Sequence, residues 1–269
     1  MRKLNLKSIP FILVLASCSI KENRTLCDCW LTVDASCMDP LKTRRPMDGL
    51  TMLFDNDNGY SMRDEISYEE LDSTGMVLYR LPRRLTEIVA VSGDDSVNVT
   101  GSAYCPMQHH NTYPRMFSWH EQADLNLEEK IGSPKPRKHH CVVHVTVAPE
   151  MGTEDGNLII KVSGQVIGMD LWTGRPLSGD FFETIPIGED GMVDFVIPRQ
   201  YDQHEVVFSI YRDAKPVVHV NLSKLMAESG YDWSKSDLDD VSYFIENFYI
   251  EGIVKILPWE TIIDGEIVI

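Results

Sequence analysis

Six cysteines and eight histidines are the side chains of this sequence best suited to metal binding or nucleophilic chemistry. Five histidines lie near Cys105 or Cys141: His109, His110, His139, His140 and His144. Zinc sites use short, repeated spacings of cysteine and histidine, and the spacings here do not fit that frame. We therefore expect exposed histidine pairs in loops and no metal site, with zinc as the weaker alternative.

A different chemistry is indicated for Cys18. Three cations precede an apolar run over residues 9–16, which has the length of a signal-peptide core and is too short to span a bilayer. The run ends in Leu15-Ala16-Ser17-Cys18, which resembles the lipobox of bacterial lipoproteins. We therefore predict a signal peptide over 1–17, a tether over 18–26, and covalent diacylglycerol and palmitate on Cys18. An ordinary secretory signal is the alternative.

Five further cysteines follow the predicted cleavage site: Cys27, Cys29, Cys37, Cys105 and Cys141. Export permits disulfides, and an odd number of cysteines leaves at least one thiol unpaired. Cys27 and Cys29 are too close in sequence to pair with each other without strain. The pairing itself stays open at this stage.

The sequence carries no motif typical of catalysis or nucleotide binding. It contains no G-x-S-x-G elbow, phosphate-binding loop, H-E-x-x-H or G-x-G-x-x-G. Three adjacent carboxylate pairs, Glu69-Glu70, Asp94-Asp95 and Asp239-Asp240, are interpreted as solvated surface acids. The stretch 55–59 resembles a calcium loop, but Ile66 stands where the bidentate glutamate belongs, so we expect a turn. The sequence therefore predicts no enzyme, no metal and no cofactor beyond the covalent lipid.

The chain is acidic, with 25 Lys+Arg against 41 Asp+Glu and a formal net charge of −16. Loss of the three cations in 1–17 would make it more acidic still. Such a chain repels phosphate backbones, which disfavours nucleic acid as a partner. No later segment has 18 consecutive apolar residues, so no membrane-crossing segment is predicted after residue 17.

Short extended segments separated by turn residues predict an all-β fold. Val143, Val145 and Val147 alternate with polar residues, the pattern of a half-buried strand. Helical turns are expected only over Arg63 to Leu71 and over Leu222 to Ser229, which Gly230 would end in a left-handed conformation.

Domain organisation follows from one segment. Residues 132–138 are rich in proline and charge and lack apolar side chains, which is typical of a linker. We therefore predict a first β-sandwich over 27–131 and a second over 139–269.

Four segments of the chain resemble a known family: Cys27-Asp28-Cys29-Trp30-Leu31-Thr32-Val33-Asp34, Gly168-Met169-Asp170, Ile197-Pro198-Arg199-Gln200-Tyr201-Asp202 and Gly230-Tyr231-Asp232-Trp233, the last followed by Asp237-Leu238 and Asp240-Val241. A tryptophan near the last strands, Trp259, matches too. These features are similar to those of the fimbrial anchor lipoproteins of Bacteroidetes, the base subunits of type V pili.

The resemblance implies two tandem transthyretin-like β-sandwich domains with short helical insertions. It also implies an outer-membrane, surface-exposed lipoprotein that holds the base of a fimbrium and limits its length. The expected partner is the first stalk subunit, bound through a strand edge or groove, most readily in the better-matched second half.

The matched residues also have structural interpretations, which we favour over ligand contacts: Trp30, Pro198, Arg199, Gly230, Asp232 and Trp233. Arg199 and Asp202 would close a turn as an ion pair, and Asp232 would cap a turn beside the indole of Trp233. The alternative function is a surface glycan-binding lipoprotein. That alternative predicts exposed tryptophan platforms among Trp30, Trp119, Trp172, Trp233 and Trp259, whereas an anchor predicts buried ones.

Overall fold

The computed structural model of the protein describes residues 27–38, 49–71, 74–93, 99–100, 103–104, 113, 115–148, 158–201, 204–245 and 255–258. Several predictions fall outside these residues and stay predictions: the signal peptide, the tether with Cys18, and the roles of Cys105, His109, His110, Asp202 and Trp259. Among the described residues no helix is long and apolar enough to cross a membrane.

The first half of the chain forms ten strands with these bounds: β1 (Asp28–Asp34), β2 (Gly49–Asn56), β3 (Ser61–Ser67), β4 (Met76–Pro82), β5 (Leu85–Gly93), β6 (Val99–Thr100), β7 (Ala103–Tyr104), β8 (Met116–Asp124), β9 (Glu129–Gly132) and β10 (Arg137–Lys138). Single 3₁₀ turns cover Ser36–Met38 and Tyr68–Glu70.

Two of the sheets pack face to face in this half. Strands β4, β1 and β9 form a three-stranded sheet, here called the small sheet, in which β1 is antiparallel to β4 and parallel to β9. Strands β10, β8, β5, β2 and β3 form the facing sheet. Alternation along β1 buries Leu31 and Val33 in one core with Leu50 and Met52 of β2. The half is therefore a β-sandwich.

The described residues of the second half form eight strands and one helix: β11 (His140–Val147), β12 (Leu158–Asp170), β13 (Arg175–Pro186), β14 (Met192–Pro198), β15 (Val206–Arg212), β16 (Lys215–Asn221), α1 (Leu222–Glu228), β17 (Asp240–Ile245) and β18 (Lys255–Leu257). The helix lies where the sequence predicted it. Asn221 caps its N-terminus by accepting from the backbone of Lys224, and Gly230 follows its end with φ +79°.

The second half is also a sandwich. Strands β14, β11, β17 and β18 form one sheet, and β16, β15, β12, β7 and β6, with β13 on the other side of β12, form the other. Val143 and Val145 of β11 share a buried core with Ile160 and Val162 of β12 and Phe208 of β15. The all-β fold class predicted from the sequence is confirmed.

The two halves repeat one strand connectivity. The first strand of each, β1 or β11, is antiparallel to the fourth and parallel to a later strand, β9 or β17. In the facing sheets, the order β8-β5-β2-β3 corresponds to β16-β15-β12-β13. No internal repeat is visible in the sequence, because shared topology needs only matching alternation of apolar and polar residues.

Two sequence expectations are wrong. Residues over Arg63 to Ser67 belong to strand β3, which pairs with β2, and only Tyr68–Glu70 makes a helical turn. Asp239 and Asp240 are buried instead of solvated. Tertiary contacts determine the structure in both cases. Charged side chains on an edge strand such as β3 can point into solvent, and an acidic side chain can be buried when it has a charged partner.

The end of the segment 132–138 is packed against both halves. Arg137 and Lys138 form β10, which pairs with Ser118 and Phe117 of β8. Lys138 is 1% exposed, and its ammonium bonds to Asp240 of the second half. The division of the chain at this segment stays a prediction, but its contacts differ from those of a flexible linker.

Candidate binding surfaces

The small sheet is one strand narrower than its counterpart in the second half. There, β18 pairs antiparallel with the outer edge of β17, from Asp240 to Ser242. The equivalent strand of the first half is β9, and no strand among the described residues pairs with its outer edge. We call this outer edge of β9, residues Glu129–Gly132, the open edge.

The open edge presents unpaired backbone groups. The hydrogen bond from the N–H of Trp30 to the carbonyl of Glu128, 2.9 Å long, fixes the alternation of the parallel ladder between β1 and β9. In such a ladder every second residue bonds to the neighbouring strand. The backbone N–H and C=O of Glu129 and Ile131 therefore point away from β1, toward the place where a further strand would lie.

Strand β9 also brings little apolar surface to its own core. On the inner side of the small sheet it contributes Lys130 and Gly132, whereas β17 contributes the buried Val241, Tyr243 and Ile245. Lys130 instead reaches Glu121, with Nζ 2.8 Å from Oε1. The first sandwich therefore has less apolar packing at β9 than the second has at β17, on the side where no described strand follows.

An apolar surface adjoins the open edge on the solvent side of the small sheet. Ile131 is 72% exposed, Leu78 60% and Trp30 45%. Thr32 lies opposite both Leu78 and Ile131, so these side chains stand on one face across all three strands. We call Trp30, Leu78 and Ile131 the outer face. A group of large exposed apolar side chains on one sheet face is typical of an interaction surface.

The matched motif residues of the second half meet elsewhere, around Arg199. Its guanidinium donates hydrogen bonds within 3.3 Å to five acceptors: the backbone carbonyls of Trp233, Lys235, Ser236 and Lys138, and Nδ1 of His139. A planar fork with five donors suits such a cluster of carbonyls, which an ammonium could not satisfy together. Arg199 thus fixes loop 233–236 against the junction of the two halves.

The other matched residues have local contacts. Asp232 accepts from the backbone N–H of Ser234 at 2.8 Å, which, with the Ser234 hydroxyl, holds the pKa of Asp232 below its usual value. Trp233 packs edge-on against Tyr231, and Pro198 is buried at the end of β14. These contacts position a loop and a strand end, and none of them brings reactive groups together.

Four of the predicted disulfide cysteines are described, and all four are free thiols: Cys27, Cys29, Cys37 and Cys141. Burial raises the pKa of Cys37 to about 11 and, with Asp240 nearby, that of Cys141 to about 12. Both thiols therefore stay protonated and unreactive at neutral pH. Pairing that involves Cys105 stays a prediction.

A third expectation, exposed histidine pairs in loops, is wrong for His139-His140, because His140 lies buried in strand β11. The histidines near Cys141 are separated by their contacts. Burial, with Arg199 nearby, lowers the pKa of His139 to about 3. Burial, with Lys138 nearby, holds the pKa of His140 well below its usual value. His144 lies 2.8 Å from Asp194 on the surface of the second half. Within the described ranges, no three His, Cys, Asp or Glu side chains form a possible metal site.

Tryptophan exposure bears on the glycan-binding alternative. Trp119, Trp172 and Trp233 are half-buried and pack against the cores, and among the four described tryptophans only Trp30 is exposed. Arg80 covers part of the Trp30 ring, with its guanidinium carbon 5.8 Å from the ring centroid. The described tryptophans therefore do not form a row of exposed platforms.

No protein-family model and no curated protein matches the sequence. Solved structures do match. A candidate polysaccharide-binding protein of Bacteroides thetaiotaomicron superposes with a TM-score of 0.56 at 13% identity, over 86% of this chain and 99% of that one. A candidate adhesin of Bacteroides ovatus gives 0.54 at 11% identity, over 86% and 93%.

The chain therefore shares its fold with these two solved structures. The fimbrial anchor protein Mfa2 of Porphyromonas gingivalis shares this fold, with a TM-score of 0.52 at 14% identity over 87% of this chain and 98% of Mfa2. At such identities the structural likeness establishes a shared fold. As a likeness of fold, the predicted resemblance to fimbrial anchor proteins is confirmed.

Proposed function

We propose that the protein is an outer-membrane lipoprotein that anchors the base of a fimbrium and limits its length. In this proposal Cys18 carries the lipid, and the open edge of β9 binds a strand of the first stalk subunit. The observation that carries the proposal is that no described strand pairs with the small sheet beyond β9, at the place where the second half has β18.

Strand addition at the open edge has the required chemistry. The outward backbone groups of Glu129 and Ile131 offer two donors and two acceptors to an incoming strand. Alternate side chains of that strand would cover Ile131, so main-chain bonds would supply affinity and the side chains specificity. Natural sheet edges are usually blunted with charges or proline. The open edge has no proline, and the ammonium of its inner Lys130 is paired with Glu121.

Two other long edges of the described chain, β13 and β16, are protected in this way. Strand β13 has twelve residues and pairs only with β12, but it carries Pro176 and an inward-pointing Glu183. Burial raises the pKa of Glu183 to about 7. Pro216 lies on β16. Although the sequence favoured the second half for subunit binding, these features favour the first.

The tether supports a position close to the membrane. Strand β1 starts at Asp28, ten residues after Cys18, and ten extended residues reach at most about 36 Å. Two or three acyl chains on Cys18 would give durable attachment at roughly 0.8 kcal/mol per buried methylene. Mfa2, which shares the fold, is named as a fimbrial anchor.

Deletion of the gene tests the function. A terminator that offers no further strand stops polymer growth, so the deletion strain should make fimbriae that are longer and released into the medium. A Cys18→Ala strain should release fimbriae and fail to label with palmitate, without a necessary change in their length. Electron microscopy measures both effects. Fimbriae of wild-type length that stay cell-attached in the deletion strain would contradict the proposal.

A further inference from the structure

A cleft of about 450 Å³ opens at the junction of the two halves, between β10, the turn before β13, and loop 233–236. Its charged lining is entirely basic: Arg137, Arg175, Arg199 and Lys235. The chain as a whole has 41 acidic residues against 25 basic ones. A basic cleft in so acidic a protein concentrates positive potential at one place, where like charges repel one another unless an anion enters.

Two of the four cations are already satisfied by the protein. Arg199 uses its donors on backbone carbonyls and His139, and Lys235 lies 2.5 Å from Asp239. The acids nearest the loop are also engaged, since Asp232 accepts from Ser234 and Asp237 accepts from the backbone of Lys138 at 2.8 Å.

The other two cations, Arg137 and Arg175, are exposed, and no carboxylate of the described residues pairs with either. Arg137 is fixed at its backbone by the pairing of β10 with Ser118. Arg175 follows a turn closed by a 2.8 Å bond from Gly174 N–H to the carbonyl of Asp170. Two guanidinium groups on defined backbone beside one cleft are a suitable arrangement for binding carboxylates.

The remaining lining favours a sugar over a peptide strand. Tyr201 and Trp233 present aromatic surface, and Ser234 and Ser236 present hydroxyls, whereas no Leu, Ile, Val, Met or Phe lines the cleft to receive apolar side chains. Such a mixture of aromatic and convergent polar groups is typical of small-molecule sites.

Strand pairing is also blocked at this place. Pro176, at the start of β13, has no N–H to donate, and its carbonyl already accepts from the Tyr201 hydroxyl at 3.2 Å. A peptide strand therefore finds no backbone donor at Pro176, so the cleft favours recognition by side chains over strand pairing.

We propose that this cleft binds an acidic saccharide, with Arg137 and Arg175 holding its carboxylates and Trp233 contacting one face of a sugar ring. The site is separate from the open edge and does not depend on the anchor function.

Isothermal titration of the purified full-length protein tests the proposal. The probes are tetrasaccharides of galacturonate, of alginate and of hyaluronan, at low salt. At least one should bind, and the double variant Arg137→Gln/Arg175→Gln should bind it at least tenfold more weakly. The matched control Arg84→Gln/Lys215→Gln removes two exposed charges elsewhere and should bind as the wild type does. Affinity should also fall as salt is raised.

Three results would overturn the proposal. One is the absence of binding by all three acidic tetrasaccharides at millimolar concentration. Another is equal binding of the neutral maltotetraose, which would remove the role of the carboxylates. The third is equal binding of tetraglutamate, which would show a site for acidic peptides instead. None of these results bears on the shedding of fimbriae, so failure here is distinguishable from failure of the anchor function.

Discussion

The two halves of the molecule share one connectivity and differ at one edge. In the second half β17 is covered by β18, and Ile256 of β18 packs against the core. In the first half β9 has no such neighbour among the described residues, and Ile131 stands 72% exposed. A sandwich that completes its own sheet gains stability, whereas one that leaves an edge open gains a place for a partner.

A second difference separates the open edge from the junction around Lys138 and Arg199. The junction is polar, with Lys138 and Asp240 buried as a pair and Arg199 donating to five acceptors, and most of the matched residues of the second half lie there. The open edge is apolar on its face and unsatisfied along its backbone. Motif residues of the second half therefore report on how the fold is held together. The proposed partner strand β9 lies outside all four matched segments and pairs with one of them, β1.

The largest effect is expected at the junction. Lys138→Met should lower the free energy of unfolding by about 3–5 kcal/mol, because it leaves Asp240 buried without its charge partner. Adding Asp240→Leu should recover much of this loss, since an apolar pair replaces a buried ion pair at little cost. Urea denaturation of the single and double variants measures both. A single variant as stable as the wild type would show that the junction does not join the halves.

Acid pH is expected to weaken the same junction. The folded pKa values of His139 and His140 lie below the usual 6.5, so the unfolded chain binds two more protons below that pH. Glu183 acts in the opposite sense, because its folded pKa of about 7 exceeds the usual 4.5. Stability should therefore fall from pH 6.5 to pH 5 with a net slope of about 1.4 kcal/mol per unit.

Two variants separate these contributions. Glu183→Gln should steepen the slope to about 2.8 kcal/mol per pH unit, because the opposing group is gone. His140→Gln should flatten the slope, because one of the two buried histidines whose effect opposes that of Glu183 is gone. Denaturation midpoints between pH 7 and pH 5 give the slopes. A flat profile in both the wild type and Glu183→Gln would contradict the neutral, buried state of the two histidines.

Much of this fold could be predicted from residue patterns, but the arrangement at the junction could not. Alternation around Val143 and the Asn221 and Gly230 caps predicted β11 and the helix, because local geometry decides them. Lys138 was expected in a linker, since its partner Asp240 is distant in sequence. The open edge could not be predicted either, because Glu129–Gly132 has the sequence of a short strand whether or not another strand pairs with it.

A smaller effect separates the two equivalent edges. Ile256→Asp should lower the free energy of unfolding by about 1–2 kcal/mol, because it places a charge against the core beneath β18. Ile131→Asp should change it by less than about 0.5 kcal/mol, since that side chain is in solvent. Thermal unfolding of the two variants measures this difference. Equal losses would mean that Ile131 is covered by part of the same chain.

The open edge itself is tested most directly with proline. Ile131→Pro removes an outward N–H from β9 without breaking a bond to β1, so a strain carrying it should release its fimbriae into the medium. Leu78→Pro is the matched control. The bond from Ala35 N–H to the carbonyl of Gly75 places the Leu78 N–H on the outer edge of β4. Strand β4 corresponds to β14 of the second half. Both are outer strands of their sheets, so β4 lacks no neighbour that β14 has.

Immunoblots of cells and medium, with electron microscopy, measure attachment in the two strains at equal protein levels. We predict released fimbriae for Ile131→Pro and cell-attached fimbriae for Leu78→Pro. Fimbriae that stay attached in the Ile131→Pro strain would contradict the assignment of the open edge as the stalk-binding site.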